Sequence, residues 1–113
     1  MKRLAIWLLL ALFLSACGSG VPVTFKNQSE SKLEAVELSG SGFKASLGVV
    51  EPGQALTATV HPSGESGLSV SFIANGQSYS YGPQDYFESG GMYKLSATVG
   101  RDLKVSVQSD IKP

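Results

Sequence analysis

Apolar and polar residues alternate along most of the chain after residue 20. A period of two is typical of β-strands that bury one face and expose the other. No stretch after residue 20 shows a helical period, so the pattern predicts about eight short strands. The alternating apolar positions are Val21, Val23, Phe25, Val36, Leu38, Phe43, Ala45, Leu47, Val49, Leu56, Ala58, Val60, Leu68, Val70, Phe72, Tyr79, Tyr81, Tyr93, Leu95, Ala97, Val99, Leu103, Val105 and Val107.

Turn signals separate the predicted strands. Pro52 and Gly53 stand at the two central positions of a type II turn, where proline fixes φ and glycine accepts a positive φ. Polar and glycine-rich stretches predict two longer loops, at residues 62–67 and 82–91.

The dipeptide Asn75-Gly76 is the strongest hairpin signal in the chain. A type I′ turn needs a positive φ at both central positions, and Asn-Gly supplies it at low cost. Such a turn also fixes the pairing of its strands. It predicts that Phe72 lies opposite Tyr79 and that Val70 lies opposite Tyr81.

Eight short strands, with turn signals every ~8–12 residues, predict an all-β domain. We expect a small antiparallel two-sheet sandwich over residues 21–109, followed by a tail at 110–113. A small closed β-barrel is the alternative. The sequence Gly91-Met92-Tyr93 resembles the Gly-x-Tyr entry to a strand in many immunoglobulin-like and transthyretin-like sandwiches, which favours those two arrangements.

Residues 1–16 read as a segment separate from the domain. Lys2 and Arg3 precede an apolar run of 11 residues, 4–14. This run is too short for a membrane-spanning helix of about 20 residues. A charged start, a short apolar run and small residues at its end predict a secretory signal peptide.

The sequence Leu14-Ser15-Ala16-Cys17 resembles the lipobox of bacterial lipoproteins. The resemblance implies cleavage before Cys17, a thioether-linked diacylglyceryl group on its thiol, often an acylated new amino terminus, and anchoring in the cell envelope. It also explains why the chain has a single cysteine. Gly18, where some Gram-negative lipoproteins carry a retention aspartate, favours the outer membrane facing the periplasm. An ordinary secretory signal beside a chance cysteine is the alternative.

The predicted tether between anchor and domain is short. Only residues 18–20 separate Cys17 from the first strand, a reach of about 10–14 Å. We therefore expect the domain to lie close to its membrane.

Length and charge exclude several classes of function. The chain has 113 residues, which is enough for one domain. Without Lys2 and Arg3, nine acidic and seven basic side chains remain, which is not the basic surface that nucleic acids require. One histidine and one cysteine exclude a disulfide within the chain and any site that needs several of these residues.

Three candidate sites are weak. The segment Gly64–Gly67 resembles a nucleophile elbow, but Leu68 stands where the last glycine is needed. His61 has no second histidine or cysteine with which to hold zinc. Asp85 and Glu88 lack the dense acidic loop of a calcium site. We therefore predict no enzyme activity, no metal and no cofactor beyond the covalent lipid.

Tyr86 and Phe87 are the most informative pair. Adjacent aromatic residues in a loop cannot both point inward as on a strand, so we expect one to close an end of the sandwich and the other to be exposed. The pair is therefore predicted to form a loop that contacts a partner. The alternatives are that both lie in the core, and that the serine- and threonine-rich outer faces bind a glycan or another sheet.

These observations lead to one main hypothesis and two alternatives. The chain is expected to be a non-enzymatic envelope lipoprotein that binds another envelope protein near the membrane. The first alternative is an inhibitor or immunity protein against a hydrolase that attacks the envelope. The second is a module that binds a glycan or a lipid.

Overall fold

A computed structural model describes residues 20–90 and 92–111, and this part of the chain consists of strands and turns without a helix. Cys17 and the predicted signal peptide lie outside the described residues. The strands are β1 (Val21–Asn27), β2 (Leu33–Gly40), β3 (Phe43–Val50), β4 (Ala55–Val60), β5 (Glu65–Ala74), β6 (Gln77–Glu88), β7 (Tyr93–Val99) and β8 (Val105–Ile111).

The strands form two four-stranded sheets that pack face to face. Sheet A has the order β4-β1-β7-β8, and sheet B has the order β3-β2-β5-β6. This confirms the predicted sandwich and not the alternative closed barrel. One pairing differs from the antiparallel expectation, because β1 and β7 run parallel. β1 lies between β4 and β7, so a strand from the start of the chain is central in sheet A.

The core lies between the two inner faces. Phe25, Phe72 and Phe87 are its largest side chains, and each is almost fully buried. Burying a side chain of this size stabilises the fold by roughly 1.5–3 kcal/mol. The smaller core residues include Val21, Val23, Leu33, Val36, Leu38, Val50, Val60, Leu68, Val70, Ala74, Leu95, Ala97, Val99 and Val105.

The predicted Asn75-Gly76 hairpin is confirmed. Asn75 and Gly76 have φ of 51° and 78°, as a type I′ turn requires. Phe72 pairs with Tyr79 and Val70 pairs with Tyr81, in the predicted register. The rings of Phe72 and Tyr79 are stacked with their centroids 5.2 Å apart.

The predicted loop at 82–91 is wrong over most of its length, because β6 continues to Glu88. Gly82 and Asp85 have positive φ, of 108° and 56°, and the β5–β6 register shifts between Leu68 and its neighbours on β5. A bulge thus absorbs the irregular residues without ending the strand. The predicted tail also begins too early, since β8 includes residues 110 and 111.

The two ends of the sandwich are distinct. At one end, which we call the tether end, Val21 pairs with Val60, and the Ser63 amide donates a hydrogen bond to the Ser41 carbonyl (2.9 Å). At the other, the far end, lie the turns at residues 28–32, 51–54, 75–76 and 100–104. Gly20, the first described residue, precedes β1 at the tether end.

Candidate functional site

Tyr86 and Phe87 point in opposite directions from β6. Phe87 is fully buried, and its ring meets that of Phe43 edge-on at a centroid distance of 6.0 Å. Tyr86 is 55% exposed. The expectation that one ring is inside and one outside holds, but the two residues form no loop, and Phe87 is not available to a partner. Strand alternation, which the loop prediction ignored, is the reason.

Tyr86 lies beside two glutamates on the outer face of sheet B. Glu65 and Glu88 are direct partners across β5 and β6. A hydrogen bond from the Tyr86 hydroxyl to the Glu65 carboxylate raises the pKa of Tyr86 to about 12, and the nearby negative charges add to this effect. Tyr86 therefore holds its phenolic proton more tightly than an isolated tyrosine does.

A groove of about 420 Å³ adjoins this cluster. We call it the Glu65 groove, and its outward side chains come from β5, β6, the end of β2 and the turn after it. It is lined by Ser39, Gly40, Ser41, Glu65, Ser66, Gly67, Ser69 and Pro83. Small side chains make the groove, because larger ones at these outward positions would fill it.

Gly67 forms part of the floor of the groove. A Cβ on this residue would lie 2.8 Å from Pro83 Cβ and 3.2 Å from the Asp85 carbonyl oxygen. Ser66, which also lines the groove, is largely buried, and its hydroxyl accepts a hydrogen bond from the Ser41 amide (3.0 Å) and donates one to the Gly67 carbonyl (2.7 Å). The hydrogen bond from Ser41 to Ser66 joins the β2–β3 turn to the start of β5 beside the groove.

The Glu65 groove lies at the tether end. Glu88 is followed by Ser89, whose hydroxyl donates a hydrogen bond to the Pro62 carbonyl (3.2 Å). The neighbouring His61 side chain lies next to Gly20, since a Cβ on Gly20 would be 2.8 Å from His61 Nε2. The exposed tyrosine, the two glutamates and the entry of the N-terminal segment therefore share one end of the molecule.

The other candidate residues, His61 and the segment Gly64–Gly67, do not form a catalytic or metal-binding cluster with other described residues. His61 is exposed after the end of β4, and Gly64 is an open turn residue with φ of 77°. Among residues 20–90 and 92–111, no three His, Cys, Asp or Glu side chains come together in a way that could hold a metal ion. The same residues contain no helix that is long and apolar enough to cross a membrane.

The outer face of sheet A is polar and rich in hydroxyl groups. Thr57, Thr24, Ser96 and Gln108 form a row across its four strands, and the hydroxyls of Thr24 and Thr57 are 3.0 Å apart. A shallow groove of about 290 Å³ crosses the same face. None of the residues that line this groove is aromatic, so a sugar has no ring there on which to stack. This distinguishes it from the outward face around Tyr86, Glu65 and Glu88, which we call the Tyr86 surface.

Comparison with known proteins gives a fold and no function. No family model matches the sequence, and no curated protein matches it. Among solved structures, the chain is similar to a protein from Eubacterium rectale determined by NMR, with a TM-score of 0.55. The alignment covers 84% of this chain and 92% of that one, at 10% identity. At this identity the similarity concerns the fold alone.

Sequence reasoning missed Glu65 and the groove beside it. It placed Glu65 in a loop, where the dominant features were glycine and serine. A usable signal was present, because Glu65, Gly67 and Ser69 share the period of two that continues along Ser71. Extending this alternation backwards would have placed Glu65 on the outer face of β5.

Proposed function

We propose that this chain is a lipid-anchored protein of the bacterial cell envelope that binds another envelope protein through the Tyr86 surface, without catalysing a reaction. The observation that carries the proposal is the position of Tyr86. A large aromatic side chain is exposed at the end where the N-terminal segment enters, and exposed tyrosines are frequent centres of protein interfaces.

The short predicted tether supports a partner near the membrane. If Cys17 carries the lipid, residues 18–20 hold the tether end within about 10–14 Å of the bilayer. Two or more acyl chains give stable anchoring, at about 0.8 kcal/mol for each buried methylene. Tyr86 would then face proteins that are embedded in, or bound to, the same membrane.

Site-specific photo-crosslinking in cells tests the protein-binding part. A benzophenone amino acid replaces Tyr86 in one strain and Val49 in another. Val49 is the matched control, because it is 48% exposed and apolar but lies on β3 towards the far end. We expect a discrete protein adduct from position 86 and none from position 49. No adduct at position 86, or the same adducts at both positions, would contradict the proposal.

Metabolic labelling tests the anchor. Cells supplied with a radioactive or clickable palmitate should label the wild-type protein, and Cys17→Ala should abolish the label and leave the signal peptide uncleaved. The Ser19→Ala variant is the control and should be labelled like the wild type. Equal labelling of the Cys17→Ala variant would show that Cys17 is not the lipidated residue.

A further inference from the structure

Glu65 and Glu88, the two glutamates beside Tyr86, face each other, and neither forms an ion pair with a basic side chain within residues 20–90 and 92–111. Glu65 and Glu88 are direct cross-strand partners, and like charges in this arrangement destabilise a strand pair. The described residues form two ion pairs, Lys32 with Glu34 and Arg101 with Glu30, and both lie at the far end. Glu65 and Glu88 therefore form a local negative patch that a bound cation would neutralise. Lys44, an exposed basic residue at this end of sheet B, lies two strands away from β5, opposite Ser39.

Tyr86 adds a flat surface to these charges. Tyr86 lies two residues before Glu88 on the outward face of β6, and more than half of its side chain is exposed. A cation that lies over a tyrosine ring is attracted by its π electrons, and guanidinium groups also stack on it. The surface thus combines a stacking plane with two anionic groups.

The Glu65 groove offers room for the rest of such a side chain. Its volume is about 420 Å³, and Glu65 is one of the residues that line it. Ser39, Ser69 and Gly67 contribute only small side chains to its lining. An extended aliphatic stem can lie along this floor while its charged end reaches the carboxylates.

We propose that the Glu65 groove binds an arginine side chain of the partner protein, whose guanidinium pairs with Glu65 and Glu88 and stacks on Tyr86. The inference rests on the proposed function and names the chemistry of its partner. Arginine fits better than lysine, because its planar fork contacts two carboxylates at once and stacks on an aromatic ring.

A glycan is the competing occupant, since sugars also stack on aromatic rings and bond to carboxylates. It accounts less well for the arrangement, because a neutral sugar leaves the repulsion between Glu65 and Glu88 in place. An arginine removes this repulsion on binding. The facing carboxylates therefore favour the cation.

The test is an NMR titration of the full chain, labelled with ¹⁵N and purified in a non-ionic detergent. The probe is acetyl-Gly-Arg-Gly-amide, and the matched probe contains citrulline, which has almost the same shape but no charge. We expect saturable shifts of the Glu65, Gly67 and Glu88 amides with the arginine peptide only. Equal shifts with both peptides, shifts only with an added glucan oligosaccharide, or no shifts would each overturn the arginine proposal.

Two variants locate the effect. Glu65→Gln together with Glu88→Gln removes both charges with little change in shape and should weaken peptide binding about ten-fold or more. Glu34→Gln together with Glu51→Gln removes two exposed carboxylates elsewhere and should leave binding unchanged. Equal weakening by both pairs would point to a general effect of net charge and would refute the site.

The failure of this inference can be told apart from the failure of the proposed function. A protein adduct at position 86 without arginine-dependent binding would leave the function standing and remove the arginine. When an adduct forms, mass spectrometry of the crosslinked peptide gives a second readout. We expect an exposed arginine of the partner within a few residues of the attachment point, and its absence would count against the inference.

Discussion

Asn27 shows how one buried amide organises the far end. It is 1% exposed, and its amide nitrogen donates hydrogen bonds to the carbonyls of Val50 (3.0 Å) and Ser31 (2.8 Å). Its oxygen accepts from the Ser29 amide (2.9 Å) and hydroxyl (2.7 Å). The side chain thereby joins the β1–β2 turn to the end of β3. Although residues 27–29 fit a glycosylation sequon, a side chain buried in this way has no room for a glycan.

The Asn27→Ala variant should lose about 2–4 kcal/mol of unfolding free energy, because it leaves buried carbonyl and amide groups without partners. Urea unfolding followed by circular dichroism measures the change. Gln28→Ala, an exposed neighbour, should change the free energy by no more than about 0.5 kcal/mol. Similar losses in both variants would mean that the turn, and not the amide, is responsible.

Tyr86 should titrate unusually late. Its pKa is raised to about 12, against an ordinary value of about 10, so the folded state holds the proton more tightly than the unfolded chain does. The stabilisation from the Glu65 hydrogen bond is complete below the unfolded pKa and is lost as the pH rises from about 10 to about 12. Ultraviolet absorbance of the phenolate measures this titration. The Glu65→Gln variant should return the pKa of Tyr86 towards its ordinary value, and no change would refute the hydrogen bond.

Two adjacent residues of β6 have different roles: Phe87 belongs to the core and Tyr86 to the outer surface. Phe87→Ala should lower the free energy of unfolding by about 3–5 kcal/mol, because it removes a fully buried ring from the core. Tyr86→Ala should cost less than about 1 kcal/mol, since its ring is mainly exposed. Thermal unfolding of the two variants measures the difference. A large loss in Tyr86→Ala would show that the tyrosine supports the fold, and the binding experiments would then need the Glu65 and Glu88 variants alone.

The β5–β6 turn allows a test of backbone conformation without packing effects. Gly76 has φ of 78°, and a Cβ placed there meets no atom within 4 Å. Gly76→Ala should therefore lower the free energy of unfolding by about 1 kcal/mol, because alanine adopts a positive φ less readily than glycine does. Chemical denaturation measures the change in unfolding free energy, with the exposed Ser78→Ala as the neutral comparison. A loss several times larger would indicate that the hairpin register itself had changed.

The elements show which parts of the fold the sequence predicts. The regular alternation of apolar and polar residues predicted the positions of most strands. Asn75-Gly76 predicted the pairing of β5 with β6, because a two-residue turn permits a single register between the strands that it joins. The failure lay at Gly82-Pro83, where residues typical of loops stand inside β6. Glycine and proline at these positions are compatible with a bulge inside a strand as well as with a loop. Only the pairing of β6 with β5 determines which of the two forms. Tyr86 could be predicted as a candidate, whereas its contact with Glu65 could not, because that contact depends on the same pairing.

At the scale of the whole molecule, the two ends differ in their chemistry. The far end holds the buried Asn27 network and the two ion pairs of the described residues. The tether end holds exposed Tyr86, exposed Met92 and the facing glutamates. If Cys17 carries the lipid, the exposed residues of the tether end would lie beside the point of attachment, as the proposed function requires.

Processing of the N-terminal segment can be followed by fluorescence. Trp7 is the single tryptophan and lies within the predicted signal peptide. The protein isolated from envelopes should therefore show tyrosine emission without tryptophan emission. The Cys17→Ala precursor should keep the tryptophan emission and is the positive control. Tryptophan emission from the wild-type envelope protein would contradict cleavage before Cys17.

The central position of β1 has a consequence for the order of assembly. β1 is the earliest strand of the domain to be synthesised, yet its partners β4 and β7 follow about 30 and 70 residues later. Contacts so distant in the chain slow folding, and an unpaired strand is exposed to aggregation meanwhile. In a chain exported with its amino end first, β1 could pair with β4 early, but the edge of β1 that pairs with β7 would stay open until almost the whole domain had crossed.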